Sequence, residues 1–480
     1  MKKREKSKTK IIHPVIKIFF RKQFKPNFMK QISTALYGRV SLYILFCVLL
    51  ISSLTGCKKN DSFTRGSDPV ISDATNASSY SADVIDKWMS MQIRLERDAV
   101  GIPNVAFVRY YAYSGVAALE SLTPGIPQKD GLTAKWNGLT GLPQAGAPEN
   151  YYWPASVNTA LASMNRSIFT TANAIDKAAI DSLEDALNNS FLALRKPDVI
   201  TRSNEFGQSV ADAVFAWSET DGYKNAINAY VPPVGAGLWV PTAPSFGAAT
   251  WPYFGNARPI VAGSGDNTQP GPPVAYSEDP SSPFYQMVKQ VYDASQNLTQ
   301  DQINMALFWR DIPGVTAGGH WLSILQQVVK QTNSRLDKAV LAYAVTGACL
   351  SDASISCWQT KYHYNLVRPI TYIRDVMGYT SWLSTLTTPA HPEYSSAHAV
   401  ISSAISDAFT AVFGNIGSFT DHTYDYFGYP ARTYSSFRAI GEDAGNSRFY
   451  AGIHYHPSID TGFIQGRKVA SNILAKLKLH

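Results

Sequence analysis

Apolar residues recur at intervals of three and four along most of this chain. Val84, Trp88 and Leu95 share this spacing in the first such segment. A second predicted helix begins at Pro103 and runs to Leu122. Further helices are predicted near residues 155–171, 174–195, 199–219, 284–298, 300–310, 319–332, 335–360, 395–413, 433–452 and 459–478. Little of the chain alternates with a period of two, so the predicted fold is all-α, built of helical bundles.

Two stretches interrupt the helical pattern. Residues 122–153 are predicted to form a loop, and residues 230–283 carry a denser run of proline and glycine, interleaved with Trp239, Trp251 and Tyr253. This density forbids a long helix or a central strand. The second loop either walls a pocket, as long loops in compact domains often do, or wraps the helices as a connector whose aromatic rings cap them.

The composition is that of a globular protein, since 45% of the 480 residues are hydrophobic and 16% are charged. We expect a signal region at residues 1–56, a linker at 57–80 and a single all-α domain at 81–480. That domain divides into an N-terminal helical half (81–229), the loop 230–283 and a C-terminal half (284–480) that carries the candidate chemistry.

The net charge of +7 suggests a nucleic-acid partner, but the charge is unevenly distributed. Residues 1–56 hold 12 Lys and Arg and one Glu, so residues 57–480 carry a net charge of −4. A mildly acidic body lacks the excess of positive charge that nucleic-acid binding requires. We therefore expect no nucleic-acid partner.

The basic start leads into an apolar run at residues 40–51, which is short for a membrane span and has the length of a signal-peptide core. The sequence Leu54-Thr55-Gly56-Cys57 follows it. This resembles the lipobox of bacterial lipoproteins, in which the cysteine is acylated. The resemblance implies an exported lipoprotein, periplasmic or at the cell surface, anchored to a membrane surface by a lipid on Cys57. An uncleaved signal anchor is the alternative.

Two cysteines remain in the body of the chain, Cys349 and Cys357. Eight residues apart on a continuous helix, they would lie about 12 Å from each other, beyond the reach of a disulfide. We predict two buried free thiols.

Three short clusters in the C-terminal half carry side chains suited to a tetrahedral oxyanion. Lys361, Arg368 and Arg448 supply fixed positive charge, and Ser396 adds a hydroxyl donor. Histidines in the second and third clusters can exchange protons or bond to a central atom near neutral pH. Singly, each cluster has a structural explanation. Lys361 and Arg368 would share one solvated face of a continuous helix, and Asp460 would cap the last helix.

In order and spacing, the clusters resemble the signature of the superfamily that joins vanadium-dependent haloperoxidases to type 2 phosphatidic acid phosphatases. That signature is K-x6-R-P, then P-S-G-H, then S-R-x5-H. The segment from Lys361 to Pro369 fits the first part, and the segment from Ser447 to His454 fits the third. The second part is altered to Ser395-Ser396-Ala397-His398. Because serine replaces the proline of the signature, we expect this loop to lose a rigid turn and to loosen.

The resemblance implies which residues hold the oxyanion. Lys361, Arg368 and Arg448 would neutralise it. The Ser396 hydroxyl and the backbone N–H of Ala397 would donate hydrogen bonds to it, and alanine keeps the N–H that the usual glycine provides. The resemblance also implies the helical-bundle fold of the superfamily.

Two histidines would take part in the chemistry. In a haloperoxidase, His454 would be the axial ligand of a vanadate cofactor, and His398 would assist proton transfer. In a phosphatase without a cofactor, His454 would form a phosphohistidine, and His398 would protonate the leaving alcohol. The aspartate that orients the first histidine in phosphatases usually stands four residues after it. Asp460 stands six after His454, so its catalytic role would require a shifted geometry.

Two further residues bear on the choice between these activities. His391, five residues before Ser396, matches a position that is histidine in algal bromoperoxidases and flanks the halide side of the site. Trp358, three residues before Lys361, resembles the aromatic wall of bacterial haloperoxidases. A loop histidine and a core tryptophan are the alternatives.

These observations favour a vanadium-dependent haloperoxidase that oxidises halide with hydrogen peroxide. An acid phosphatase that uses the same pocket is the alternative, and a non-catalytic oxyanion-binding lipoprotein is the third hypothesis. The expected partners are small molecules, namely hydrogen peroxide and halide or a phosphoester, and the membrane surface. Haloperoxidase relatives often form oligomers, so a homo-oligomer is compatible with the resemblance.

Overall fold

In this computed structural model, the described part of the chain comprises residues 76–127, 135–311 and 317–479, all within one compact unit. The predicted signal region, Cys57 and most of the predicted linker lie outside the described residues. The prediction of an all-α fold is confirmed, because thirteen α-helices and two short strands make up the regular structure of the described residues, apart from short 3-10 turns.

The first half of the described chain contains five helices. They are α1 (Asp83–Asp98), α2 (Asn104–Glu120), α3 (Trp153–Ile168), α4 (Ala174–Leu192) and α5 (Pro197–Ser218). Local signals set several of their ends. The Asn173 side chain accepts a hydrogen bond from the backbone N–H of Asp176 and caps α4, and proline stands in the first turn of α3 and of α5.

The second half contains eight helices and a small hairpin. The helices are α6 (Pro283–Gln296), α7 (Gln300–Phe308), α8 (Ala317–Gln331), α9 (Leu336–Tyr364), α10 (Pro369–Asp375), α11 (Ala397–Phe413), α12 (Phe437–Tyr450) and α13 (His456–Leu477). Strands β1 (Phe419–Asp421) and β2 (Arg432–Tyr434) pair antiparallel, with Thr420 opposite Thr433.

Helix α9 lies at the centre of the packing. It contacts α2 from the first half and α11 and α13 from the second. Gly115 of α2 and Gly347 of α9 allow the first contact, since a Cβ at either position would lie within 3 Å of the opposite backbone. Among the described residues, α9 alone is long and apolar enough to cross a membrane, but its apolar window is entirely buried, as is typical of a core helix.

The structure excludes both structural explanations that the sequence offered for single clusters. Helix α9 stops at Tyr364 because Asn365 adopts a left-handed conformation, and Arg368 becomes the N-cap of α10. Lys361 and Arg368 therefore do not share a helix face. Helix α13 begins at His456, so Asp460 lies inside its first turns and does not cap it.

The loop contains no α-helix or strand from residue 230 to residue 282, and Pro283, the last residue of the predicted loop, is the first residue of α6. Trp239 is fully buried, and its backbone N–H donates to the carbonyl oxygen of Asn365 at 2.7 Å. The N–H of Val367 donates to the carbonyl oxygen of Gly237 at 2.9 Å, so the loop braces the turn that leads to Arg368. Both cysteines of the body are buried and free, as predicted.

Candidate active site

A cavity of about 350 Å³ opens where α2, α9, α11 and the segments around residues 389–391 and 448–454 meet. Its wall includes six of the residues selected from the sequence. They are Trp358, His391, Ala397, His398, Arg448 and His454. The other oxyanion candidates lie behind this wall. Packing of distant segments thus brings the three sequence clusters to one place.

Lys361 is fully buried on α9 and ties down the loop before α11. Its ammonium group donates to the carbonyl oxygens of Pro392 (2.9 Å), Glu393 (2.9 Å) and Ser395 (2.6 Å). These three bonds use all three of its hydrogens. Burial lowers the pKa of Lys361 to about 7. The residue therefore shapes the loop directly and would act on an oxyanion only through its charge.

The altered signature loop is held by hydrogen bonds where a proline would have restrained it. Ser395 is fully buried, and its hydroxyl donates to the side-chain oxygen of Gln465 at 2.6 Å. Its carbonyl oxygen accepts from Lys361. Hydrogen bonds thus hold Ser395 at the position where the signature has proline.

Ser396 is the N-cap of α11, and Ala397 is its first residue. The Ser396 backbone N–H donates to the carbonyl oxygen of Ser458 at 3.2 Å. Its hydroxyl is fully buried, makes no cap bond and has no hydrogen-bond partner in the structure. A buried hydroxyl without a partner is costly, and here it lies at the positive end of a helix. An anion bound at this position would satisfy it.

Arg368 is fully buried beside two histidines. Its Nε donates to the carbonyl oxygen of His391 at 2.8 Å, and one terminal nitrogen donates to that of Ile453 at 2.8 Å. The same nitrogen lies 3.3 Å from His454 Nε2. Burial lowers the pKa of Arg368 to about 10, although Glu393 opposes the shift. The guanidinium thus adds positive charge at the atom of His454 expected to bond to the oxyanion.

Arg448 lies near the end of α12, on the cavity wall. Its Nε donates to the Ser447 hydroxyl at 2.9 Å, and one terminal nitrogen donates to the carbonyl oxygen of Ala306 at 3.2 Å. Burial lowers its pKa to about 10, with Asp311 opposing the shift. Arg448 makes no ion pair with a carboxylate in the described part of the chain.

His454 is oriented by Glu393, a residue that sequence reasoning did not select. One oxygen of the buried Glu393 carboxyl lies 2.7 Å from His454 Nδ1 and accepts from the backbone N–H of Tyr455 at 3.0 Å. That oxygen is an acceptor, so Nδ1 carries hydrogen and Nε2 keeps its lone pair. Burial lowers the pKa of His454 well below its usual range, and Arg368 acts in the same direction. The imidazole is therefore neutral, and its Nε2, which has the lone pair, lies 3.3 Å from a terminal nitrogen of Arg368.

Burial also raises the pKa of Glu393 to about 7, against the opposing effect of Arg368 and Lys361. One sequence signal pointed to this residue. It is an acidic side chain three positions before Ser396, inside a cluster that otherwise carries no carboxylate. No local spacing relates it to His454, which stands 61 residues further along.

Asp460 takes no part in this arrangement. Its side chain is exposed on α13, and its charge acts on His456. The structure therefore corrects the sequence-based candidate for the orienting carboxylate, because Glu393 contacts His454 and Asp460 does not.

His398, in the first turn of α11, lines the cavity. Its Nε2 lies 3.0 Å from the carbonyl oxygen of Trp309 and 3.8 Å from a carboxylate oxygen of Asp311. Because a carbonyl only accepts, Nε2 carries the proton and Nδ1 has the lone pair. Burial lowers the pKa of His398 well below its usual range, and Arg448 adds to the shift. The ring is thus a neutral base, with a carboxylate close to it.

His391 and Trp358 face the same cavity, with ring centroids 5.2 Å apart. A terminal nitrogen of Arg368 donates to His391 Nδ1 at 2.9 Å, so the proton of the neutral ring is on Nε2. Burial, with Lys361 and Arg368, lowers the pKa of His391 well below its usual range. The sequence-based proposal that these two rings lie at one site is consistent with this placement.

This chain is similar to known proteins in sequence and in fold. Residues 341–480 match the family model described as the VCPO second helical-bundle domain. The chain is 32% identical to a structure described as the first bacterial vanadium-dependent iodoperoxidase, with a TM-score of 0.75 over 83% of this chain and 96% of that one. No curated protein matches the chain.

Two further solved structures are similar in fold. A holo-type bacterial vanadium-dependent chloroperoxidase is 15% identical, with a TM-score of 0.60 over 80% of this chain and 93% of that one. An apo-type bacterial vanadium-dependent chloroperoxidase is also 15% identical, with a TM-score of 0.58 over 79% of this chain and 96% of that one. At this level of identity, the two structures support the fold alone.

Proposed function

The chain belongs to the superfamily of vanadium-dependent haloperoxidases and type 2 phosphatidic acid phosphatases, and we propose that it is a haloperoxidase that oxidises halide with hydrogen peroxide. The observation that carries the proposal is the positive charge beside His454. Lys361, Arg368 and Arg448 are buried, and none of them pairs with a carboxylate in the described structure. Such a site is stabilised by an anion.

The residues present fit vanadate, the cofactor that the superfamily implies. Three cations balance the charge of a tetrahedral oxyanion, the Ser396 hydroxyl lacks a partner, and the neutral His454 Nε2 has a lone pair. Ser396, Ala397, Arg368, Arg448 and His454 would hold the group, with Lys361 acting through its charge. When bound, vanadate activates hydrogen peroxide for transfer of oxygen to halide.

Glu393 and Arg368 prepare His454 for this role. Glu393 holds the ring in one orientation and in the tautomer with Nε2 unprotonated. Carboxylates that accept from the second nitrogen of a ligating histidine raise its basicity and fix its direction. Arg368 keeps the ring from becoming protonated, since both groups would then be cationic at a separation of 3.3 Å.

His398 moves protons at the cavity surface. With Nε2 bonded to the Trp309 carbonyl, Nδ1 is the atom that would accept a proton from hydrogen peroxide and give it back. Asp311, partly exposed and 3.8 Å from Nε2, would stabilise His398 while the ring carries the extra proton. His391 and Trp358 flank the cavity where the halide would approach.

A second candidate function, acid phosphatase activity, is favoured by the contact between Glu393 and His454. A carboxylate that accepts from Nδ1 also raises the nucleophilicity of Nε2, as formation of a phosphohistidine requires. Asp460, the candidate for this role in the sequence, does not support phosphatase activity because its side chain is exposed.

The two activities are separated by one pair of assays on the full-length chain. Iodide and bromide oxidation by hydrogen peroxide is measured after orthovanadate is added, and hydrolysis of a generic phosphomonoester is measured without it. We expect vanadate-dependent halide oxidation, lowered on the order of a hundredfold or more by His398→Ala. Ester hydrolysis without halide oxidation would refute the proposal. Inactivity in both assays would favour a non-catalytic oxyanion-binding protein.

We further propose that the chain is exported and anchored by a lipid on Cys57. The lipobox-like sequence supports this, together with the apolar run at residues 40–51. The test is fractionation of cells that express the wild-type chain or Cys57→Ser. The wild type should be found with membranes, and the variant should not. Equal distribution of the two would contradict the proposal.

A further inference from the structure

The cavity is much larger than peroxide and halide require. A cavity of about 150 Å³ suffices for benzene, and pockets for drug-sized ligands begin near 300 Å³. At about 350 Å³, this cavity has room for an organic molecule beside an oxyanion and a halide. The histidines and Arg448 supply the polar part of its lining, and we call the part lined by other residues, mainly from α2, α8 and α11, the apolar end.

The apolar end is lined mostly by hydrocarbon side chains, although Asn104 also lines the cavity. Side chains from four segments contribute to it, namely Pro103, Val105, Val108, Pro389, Ile401 and Ile453. Two polar wall residues are satisfied within the protein. The Ser354 hydroxyl donates to the carbonyl oxygen of Leu350 at 2.7 Å, and the carbonyl oxygen of Thr250 accepts from Trp358 Nε1 at 3.2 Å. This end of the cavity therefore offers mainly apolar contacts and aromatic stacking.

The charges around the cavity favour an uncharged occupant. Asp311 lines one side, with about a third of its side chain exposed, and Arg448 lines another. An organic anion would meet Asp311 and compete with the oxyanion for Arg448, and an organic cation would meet Arg448. The rings of Trp358 and His391 add flat surfaces suited to an aromatic ring.

We propose that this end of the cavity binds a small, uncharged, electron-rich arene of one or two rings, and that the oxidised halogen is transferred to it in place. The inference rests on the proposed haloperoxidase function, which supplies the hypohalous acid HOX from peroxide and halide. A C–X bond forms, the O–X bond and a C–H bond break, and the released proton joins hydroxide as water. The arene is oxidised by two electrons and the halogen is reduced.

The test compares two para-alkylated phenols, 4-methylphenol and 4-(1-adamantyl)phenol, in one mixture with limiting halide. The two have similar ring chemistry but differ in size. Reagent hypohalous acid, added slowly, gives the product ratio of free halogenation. With the wild-type enzyme, we expect the ratio to favour 4-methylphenol by at least about tenfold over the reagent ratio, since a fitted apolar pocket discriminates size by this factor. A ratio equal to the reagent ratio would overturn in-place transfer and would leave the proposed function intact.

Binding is measured separately from turnover, by calorimetric titration of 4-methylphenol into the enzyme without peroxide or halide. Val105→Phe is expected to weaken binding by at least about tenfold, because the larger ring fills the apolar end. Val234→Phe makes the same change at a side chain that is 99% exposed and should leave binding and iodide oxidation at wild-type values. Circular dichroism checks the fold of both variants.

The outcomes separate the two proposals. Absence of 4-methylphenol binding to the wild type would overturn the arene site whatever the halide assay shows. Binding that depends on Val105, without any halide oxidation, would support the arene site and refute the haloperoxidase proposal together with the transfer step. If Val105→Phe does not fold, the selectivity and binding of the wild type still decide the question.

Discussion

Two arginine side chains, one in each half of the molecule, are both buried but have different hydrogen-bond partners. Arg109 of α2 lies 2.6 Å from a carboxylate oxygen of Asp221 and donates to the carbonyl oxygen of Ser218. Burial lowers its pKa, but Asp221 outweighs burial and the net shift is upward. Arg448 contacts a hydroxyl and a carbonyl, and burial lowers its pKa to about 10.

Under the proposed function, the difference separates a structural charge from a functional one. A buried cation paired with a buried carboxylate already has its counter-ion, so it contributes to the fold and attracts no further anion. Arg448, with Lys361 and Arg368, lies in a group of three cations whose one fully buried carboxylate neighbour, Glu393, is hydrogen bonded to His454. Such a group is unfavourable when empty and is stabilised by an oxyanion.

The largest effect is expected from Arg109→Ala, because it leaves Asp221 buried without its cation. Breaking a buried ion pair costs about 3–5 kcal/mol in unfolding free energy. Denaturant unfolding measures this loss. Arg202→Ala removes an exposed pair with Asp198 and should change stability by at most about 1 kcal/mol. Equal losses in the two variants would remove the distinction between buried and exposed pairs.

Arg448→Ala should affect chemistry more than folding. It removes a positioned donor at the oxyanion and leaves no carboxylate without an ion-pair partner, so halide oxidation should fall by about 10²–10³-fold. Its loss of unfolding free energy should be smaller than that of Arg109→Ala. Arg438→Ala, at an exposed arginine of the same helix, is the control and should keep wild-type activity. A large loss of stability in Arg448→Ala would mean that its charge is structural.

Orthovanadate should stabilise the wild-type protein. At a hundred times its dissociation constant, a ligand that binds only the folded state adds about 2.7 kcal/mol to the unfolding free energy. The increase, measured by denaturant unfolding with chloride at equal ionic strength as the control, should be lost in Arg448→Ala and kept in Arg109→Lys. Stabilisation that persists in Arg448→Ala would place the anion elsewhere.

Glu393→Gln tests the orienting contact. It keeps the shape of the side chain but removes the charge that favours hydrogen on His454 Nδ1, so the dissociation constant for vanadate should rise about 10–100-fold. Titration calorimetry of the folded protein measures this change apart from turnover. Asp460→Asn should bind vanadate like the wild type, because Asp460 is exposed and away from His454. Weaker vanadate binding by Asp460→Asn, with unchanged binding by Glu393→Gln, would identify Asp460 as the orienting residue.

The smallest effect concerns pH. Lys361, with a pKa of about 7, is cationic below that pH and neutral above it. Its loss of charge makes the site less positive as pH rises, so vanadate binding should weaken above pH 7, by at most about tenfold per pH unit. Lys361→Met should bind more weakly and show a flatter profile. Binding of the wild type that strengthens with pH would contradict this assignment.

The sequence allowed much of the fold to be predicted because helix periodicity is local. Val84, Trp88 and Leu95 lie on one face of α1, and all three are buried as their spacing indicates. Helix ends were less predictable. The left-handed Asn365, which ends α9 and separates Lys361 from Arg368, carries no signal stronger than its residue type. The short helix α10 and the hairpin of β1 and β2 were missed because seven-residue and three-residue elements carry too few positions for a periodic signal.

The sequence alone determined the all-α pattern and identified the cluster of Lys361, Arg368, Ser396, Arg448 and His454 as suited to an oxyanion. Both follow from residue types and short spacings, which can be read within a short stretch of sequence. The tertiary structure decided which carboxylate meets His454, which carbonyls hold Lys361, and that Val105 of α2 helps to wall the cavity. Those contacts join segments far apart in the chain. They depend on how whole helices pack, because the partner of a buried polar group is chosen by proximity in space and not along the sequence.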